Sequence, residues 1–225
     1  MLKSGIRVIK KKNLYYVAEN ENSVKQFKPW LGDAFSTLYD FIMKNSVFPK
    51  KFGADMRNHY EILGQELQDI HGKRILELAT GSGSAVNFLP KDNQYTGTDI
   101  SPGLLRQAVK NFRAAGFKEA EFYVAGADDL PFEDSIFSIC LCILSLNFFN
   151  DLEKVFQEIG RVLLPDARFI CSVPVPERNR LGSTIRGMLY SEEELGRICR
   201  EQGFVLESLS NENGALLYFR AILQQ

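Results

Sequence analysis

From residue 73 onward the sequence repeats one unit: a short apolar run, a turn of small residues, then a stretch with helical spacing. The apolar runs are Arg74–Ala79, Tyr95–Asp99, Glu121–Val124, Ile136–Leu144 and Arg168–Val173. A helical piece follows Gly83 and stops at Pro90. Ser101-Pro102 opens the next helix with an N-cap and a proline at N1, and Gly116 closes it. Asp151 caps a helix expected to run through Leu164 and to break at Pro165. Ser191 to Glu194 is a capping box that starts a helix ending at Gly203. The run Ile136–Leu144 is almost wholly apolar, as befits a central parallel strand covered on both faces. This alternation predicts an α/β fold, a doubly wound, mostly parallel sheet with right-handed crossovers. The last two strands, near Phe204–Leu209 and Ala215–Ala221, have no helix between them and predict an antiparallel C-terminal hairpin. Ligands in such sheets bind beyond the carboxyl ends of the strands, so the loops after residues 79, 99, 125 and 144 are the ones to inspect.

Before residue 73 the pattern differs. Residues 6–17 read as a β-hairpin around the basic turn Lys10-Lys11-Lys12, a solvated turn rather than a binding patch. Residues 33–44 and 54–70 have helical spacing, with Phe35, Leu38, Tyr39 and Ile42 in the first and Ile62, Leu63, Leu67 and Ile70 in the second. Pro49 and Gly53 are expected to separate them. Residues 1–55 hold too few apolar residues for their own core, yet many aromatics that need a partner. They are read as an extension and helical lid on a domain spanning residues 56–225. Helix 33–44 is expected to cross above the loops after Ala79 and Leu144, with Tyr39 turned toward the ligand.

Bulk properties narrow the function. With 27 basic against 28 acidic residues, net charge is −1 and does not point to nucleic acid or an anionic surface. The cysteines Cys140, Cys142, Cys171 and Cys199 lack paired metal spacing and are remote in sequence from His59 and His71, so no metal site is expected and free thiols are. No apolar run spans a bilayer and no N-terminal apolar leader is seen, so a cytoplasmic location is expected.

Three loops carry the chemistry. Glu77-Leu-Ala-Thr-Gly81-Ser82-Gly83 follows the first strand of the repeat; glycines there let backbone approach a ligand. A dinucleotide fingerprint needs Gly or Ala three positions after Gly83, where Val86 stands, which disfavours pyrophosphate. Asp99 ends the second strand, where an acidic side chain can accept hydrogen bonds from both ribose hydroxyls of a nucleoside. Ala125 to Phe132, rich in small residues, can frame one edge of a flat adenine ring.

The segments ILELATGSGSAVNFL (75–89), YTGTDIS (95–101) and GADDLPFEDSIFSICLCI (126–143) resemble the class I S-adenosylmethionine-dependent methyltransferases. The nearest group is the small-molecule type that includes ubiquinone and menaquinone biosynthesis methyltransferases. FQEIGRVLLPDARFI (156–170) and YSEEELGRICREQGF (190–204) are similar too, and the resemblance covers roughly residues 55–221. It implies a Rossmann-like, seven-stranded sheet and methyl transfer from S-adenosylmethionine, leaving S-adenosylhomocysteine. Residue by residue, it implies that Glu77 orients the loop and the methionine end of the cofactor. Ala79, Gly81, Ser82 and Gly83 would line its amino-acid and ribose part, Asp99 would hold the ribose and Ile100 would pack on adenine. Gly126 and Ala127 would sit at the adenine edge, and Ile143 would close the floor. The family usually has Asp or Asn where Gly126 stands; Asp128, two positions on, is the acceptor left to substitute for it. Phe137-Ser138 and Asp166-Ala167 also depart from the family's pattern.

In-line displacement at a sulfonium needs alignment, desolvation and a deprotonated nucleophile more than a metal. The sequence names no catalytic base: His59 reads as structural before catalytic, and Tyr39 and Tyr60 read as packing. Asn147-Phe148-Phe149 lacks the prolines of a nucleobase amino-methylating loop, and residues 142–150 lack the paired glutamates of protein arginine methyltransferases. A small, partly apolar acceptor is therefore expected, with oligomeric state open. The rival readings are a non-catalytic methyltransferase-like binding or regulatory protein and, behind it, an NAD-dependent oxidoreductase.

Overall fold

The computed structural model describes residues 1–20, 23–28, 38–209 and 212–224. One sheet organises them. Its strands are β1 (Val8–Lys11), β2 (Leu14–Val17), β3 (Arg74–Leu78), β4 (Gln94–Asp99), β5 (Ala120–Val124), β6 (Phe137–Ile143), β7 (Leu163–Pro174), β8 (Phe204–Ser208) and β9 (Leu216–Leu223). Their spatial order is β1-β2-β5-β4-β3-β6-β7-β9-β8. Strands β5, β4, β3, β6 and β7 run parallel, while β9 pairs antiparallel with both β7 and β8. The terminal hairpin is thus present as the sequence implies.

The strand count is nine rather than the expected seven. The difference is the N-terminal hairpin: β2 pairs parallel with β5 through Tyr15↔Tyr123 and Tyr16↔Val124. Strand β5 would otherwise expose an unpaired edge. The two tyrosine rings stack across the junction at 4.8 Å, and Leu14 is buried beneath it. Val8–Val17 therefore extends the sheet.

Four helices follow the expected signals. α2 (Met56–Leu67) is capped by Asp55, whose carboxylate accepts from Asn58 N. α3 (Pro102–Ala115) is capped by the Ser101 hydroxyl, which accepts from Leu104 N, and ends at Gly116 with φ +85°. α4 (Leu152–Val162) starts at the Asp151 cap, and α5 (Glu192–Glu201) at a complete Ser191/Glu194 capping box. Helix α4 ends before Leu164, because β7 already begins at Leu163. Between Leu163 and Arg168, the four residues Leu164 to Ala167, with Asp166 at φ +61°, lie opposite the single residue Ser138.

The helix read over 33–44 is described from Tyr39 onward; its Phe35 and the neighbouring Trp30 lie outside the described residues. α1 (Tyr39–Ile42) widens into a π-helical stretch, Met43–Phe52, which runs through Pro49. The expected break at Pro49 is absent. Asn45 Nδ2 takes the Phe41 carbonyl, the partner its own backbone N–H would have in an α-helix, and the wider turn results. Gly53, at φ +59°, ends the segment. Apolar side chains bury on both faces of the sheet: α4 and α5 cover one through Phe156, Ile159 and Leu195, α2 and α3 the other through Leu63, Leu67, Leu105 and Phe112.

Candidate active site

Strand order reverses about β3, since the chain moves to β4 and β5 on one side and returns to β6 on the other. The carboxyl ends of β3 and β6 thus border a crevice. Both strands end in left-handed non-glycine residues, Ala79 (φ +49°) and Leu144 (φ +59°). Such strain at two neighbouring strand ends gathers at functional sites.

The turn after β3 is tied to β4 through Asp99. Its Oδ2 accepts from Gly81 N at 2.8 Å and its Oδ1 from Ser101 N at 2.8 Å. The carboxylate is therefore held by the two loops it separates, and the helix cap is left to Ser101. The two glycines do different work. At Gly81 (φ +59°) the nearest atom to an added Cβ is 3.9 Å away, so this face of the turn is open. At Gly83 (φ +83°) a Cβ would lie 2.9 Å from Ala108 Cα, so this glycine lets α3 pack on the turn.

Glu77 lies inside the sheet, 2% exposed, and accepts a hydrogen bond from the Tyr95 hydroxyl. Burial raises its pKa to about 8; the Tyr95 and Thr80 hydroxyls oppose the shift and the charge of Asp99 adds to it. Gly97 leaves room for Thr80, whose Oγ1 stands 2.6 Å from where a Cβ would be. Tyr95 and Thr80 escaped the sequence reading because each looks like an ordinary strand or turn residue; the β3–β4 register brings Tyr95 to Glu77, and the turn after β3 folds Thr80 back onto it.

A narrow cavity of about 60 Å³ lies over these loops. Glu77, Ala79, Gly81, Ser82 and Ile143 line its floor; Tyr39, Asp40, Met43 and Phe48 of the α1 segment and His59 of α2 complete it. The Ser82 hydroxyl donates to Asp40 Oδ1 at 2.5 Å, fastening the segment to the glycine turn. Burial pushes the Tyr39 phenol up to about 12, with Asp99 and Asp40 contributing.

The remaining expected residues stand beside the cavity, at the ends of β4 and β5. Ile100 is 39% exposed next to Asp99. Gly126 and Ala127 are buried, and Ala125 N donates to Asp99 O at 3.2 Å. Asp128 Oδ1 sits 2.6 Å from the position a Cβ on Gly126 would take, and Phe27 Cε1 lies 3.5 Å from it. The Asp128 carboxylate thus fills the space beside Gly126 that a side chain there would have entered. Nothing in the sequence links Phe27 to this loop.

Among the described residues no three His, Cys, Asp or Glu cluster as a metal would need, and no helix is long and apolar enough to cross a membrane. All four cysteines are buried free thiols.

The methyltransferase domain family matches residues 76–171, which hold β3 to β7 and the loops described above. Demethylmenaquinone methyltransferase of Thermotoga maritima is 27% identical over 72% of this chain and 66% of its own length. The ubiquinone/menaquinone biosynthesis C-methyltransferase UbiE of Rickettsia bellii is 34% identical over 43% of this chain and 42% of its own. The YcgJ crystal structure from Bacillus subtilis superposes with a TM-score of 0.64 at 18% identity, covering 74% of this chain and 100% of that one. The chain spans less than two thirds of the length of the curated relatives it matches, between 39% and 66% for the first two. The matched segment contains the glycine turn, Asp99 and the central strands, and over it the chain is similar to S-adenosylmethionine-dependent methyltransferases.

Proposed function

We propose that this chain binds S-adenosylmethionine across the carboxyl ends of β3, β4 and β5 and directs its methyl group to a small, partly apolar acceptor. The observation that carries the reading is the Asp99 carboxylate, fixed between Gly81 N and Ser101 N at the strand end where a ribose would lie. The residues fit the cofactor: the turn is open at Gly81, Ile100 offers an uncovered apolar face beside Asp99, and Asp128 supplies an acceptor at Gly126. When bound, S-adenosylmethionine supplies an activated methyl on a cationic sulfonium.

In this reading Asp99 orients the ribose, and Glu77 with Ser82 receives the amino-acid end. Gly126, Ala127 and Asp128 border the adenine, and Ile143 forms the floor. The segment 38–55 is the lid, which excludes water from the reacting centre through Tyr39, Met43 and Phe48. The relatives named for quinone methylation favour a small-molecule acceptor. A sheet site built from alternating strands and loops, with near-neutral charge, gives no support to nucleic acid as partner.

Calorimetry with S-adenosylmethionine, S-adenosylhomocysteine and NAD tests the cofactor directly. Micromolar binding of the first two and none of NAD is expected; a response to NAD alone would falsify the assignment. Binding without turnover across a panel of hydroxyl, carbonyl and amine acceptors would favour the binding-protein alternative.

A further inference from the structure

His59 lies on the first turn of α2 and is 1% exposed, yet its ring forms part of the cavity wall. Its Nδ1 is 2.9 Å from the Tyr218 hydroxyl on β9. The direction of that bond follows from a third residue. Asn213 Oδ1 accepts from Asp55 N at 2.8 Å, and its Nδ2 donates to Asp55 O at 2.8 Å. Exchanging the amide oxygen and nitrogen would set donor against donor and acceptor against acceptor, so the amide has one orientation. Nδ2 then also donates to the Tyr218 hydroxyl, at 3.0 Å. The phenol has one proton to give, and His59 Nδ1 is the acceptor beside it. Burial lowers the His59 pKa to about 3, so the ring is neutral. A neutral imidazole that accepts at Nδ1 carries its proton on Nε2. That Nε2 has no hydrogen-bond partner among the described residues.

We infer that His59 is a positioning residue that donates a hydrogen bond from Nε2–H to an oxygen atom of the methyl acceptor. The inference rests on the methyl-transfer reading of the cavity and deepens it. The surroundings narrow the acceptor's class. Met43, Phe48 and Met56 present apolar surface beside His59. The phenols of Tyr39 and Tyr60, both raised by burial, remain protonated. At the His59 end of the cavity, neutral donors and apolar groups suit a hydroxyl or carbonyl on a largely apolar body, while the carboxylates Asp40 and Glu77 lie toward the glycine turn. The same tautomer rules His59 out as general base, because its lone pair is already engaged by Tyr218.

Nitrogen-15 correlation spectra of histidine-labelled, full-length protein read the tautomer directly, with His71→Gln assigning the two residues. Near neutral pH the expected pattern is the neutral Nε2–H form for His59. In Tyr218→Phe, which removes the phenol donor to Nδ1, the Nδ1–H form should appear. With S-adenosylhomocysteine bound, phenol should shift the His59 Nε2 signal and benzene should leave it in place. A wild-type Nδ1–H tautomer, an imidazolium, or equal shifts with phenol and benzene would overturn the inference. Failure of S-adenosylhomocysteine to bind strikes the methyltransferase reading instead, and the wild-type tautomer is measured without it.

Discussion

In the proposed reading Asp99 and Gly81 meet the cofactor, whereas Gly83 serves packing. Asp99→Ala removes a charged acceptor, and S-adenosylhomocysteine affinity should fall by roughly 1–3 kcal/mol in calorimetry, with the melting temperature falling as well because Gly81 N and Ser101 N lose their acceptor. Gly81→Val places a side chain on the open face of the turn and should abolish measurable binding, with a stability cost confined to the strain of valine at φ +59°. Gly83→Val drives a side chain into Ala108 and should instead appear as lost stability, of about 1–3 kcal/mol or more by denaturant unfolding. If both glycine variants lost affinity equally at unchanged stability, the division would be wrong. The buried His59 adds a pH signature. Its folded pKa, about 3, lies below its ordinary 6.5, so the unfolded chain binds the extra proton. His59 therefore contributes stability that is present above pH 6.5 and lost as pH falls toward 3. Unfolding of His59→Gln across that range should show a shallower acid limb than wild type. Glu77 works in the opposite sense: its raised pKa, about 8, keeps it protonated near neutrality. If Glu77 receives the cationic end of the cofactor, affinity should rise with pH up to about 8, and Glu77→Gln should flatten that rise.

At the scale of elements, the π-helical segment proposed as a lid and the added hairpin hold different positions. The cavity beneath this segment is about 60 Å³. Sites for small ligands are ~300–1,000 Å³. In the lid reading the α1 segment shifts to admit a cofactor and releases the Ser82–Asp40 hydrogen bond. Lys44, Lys50 and Lys51 are exposed along this segment. Limited trypsin digestion should cut there at a rate that S-adenosylhomocysteine changes by several-fold and that Asp40→Ala raises without ligand. Identical digestion with and without ligand would argue that the segment only pads the sheet. The hairpin gives a contrasting result. Removing residues 1–18 uncovers the β5 edge and the site of Leu14, so the melting temperature should drop, while Asp99 and the glycine turn remain in place to bind ligand.

For the whole molecule, near-zero net charge and a nine-stranded sheet with helices on both faces describe a scaffold whose specificity resides in its loops. Chelators should leave fold and S-adenosylhomocysteine binding intact; unfolding in EDTA would reveal a metal. The alternation of strand and helix, the caps at Ser101, Asp151 and Ser191, and the antiparallel ending were all legible in the sequence, because each is a local signal of period or capping chemistry. The order glycine turn, acidic strand end, small-residue loop was legible for the same reason: one strand-end residue carries each role. The parallel pairing of β2 with β5 was not, since an edge strand's partner is chosen by which backbone groups remain unpaired after the core assembles. Tyr95 and Thr80 beside Glu77, Asp128 folded back over Gly126, and the Asn213–Tyr218–His59 chain likewise join residues far apart in sequence or turned by local backbone geometry. Sequence alone marked the loops proposed to hold the cofactor. The packed sheet alone decided which proton His59 carries, because hydrogen-bond direction is set by neighbours that only tertiary contact supplies.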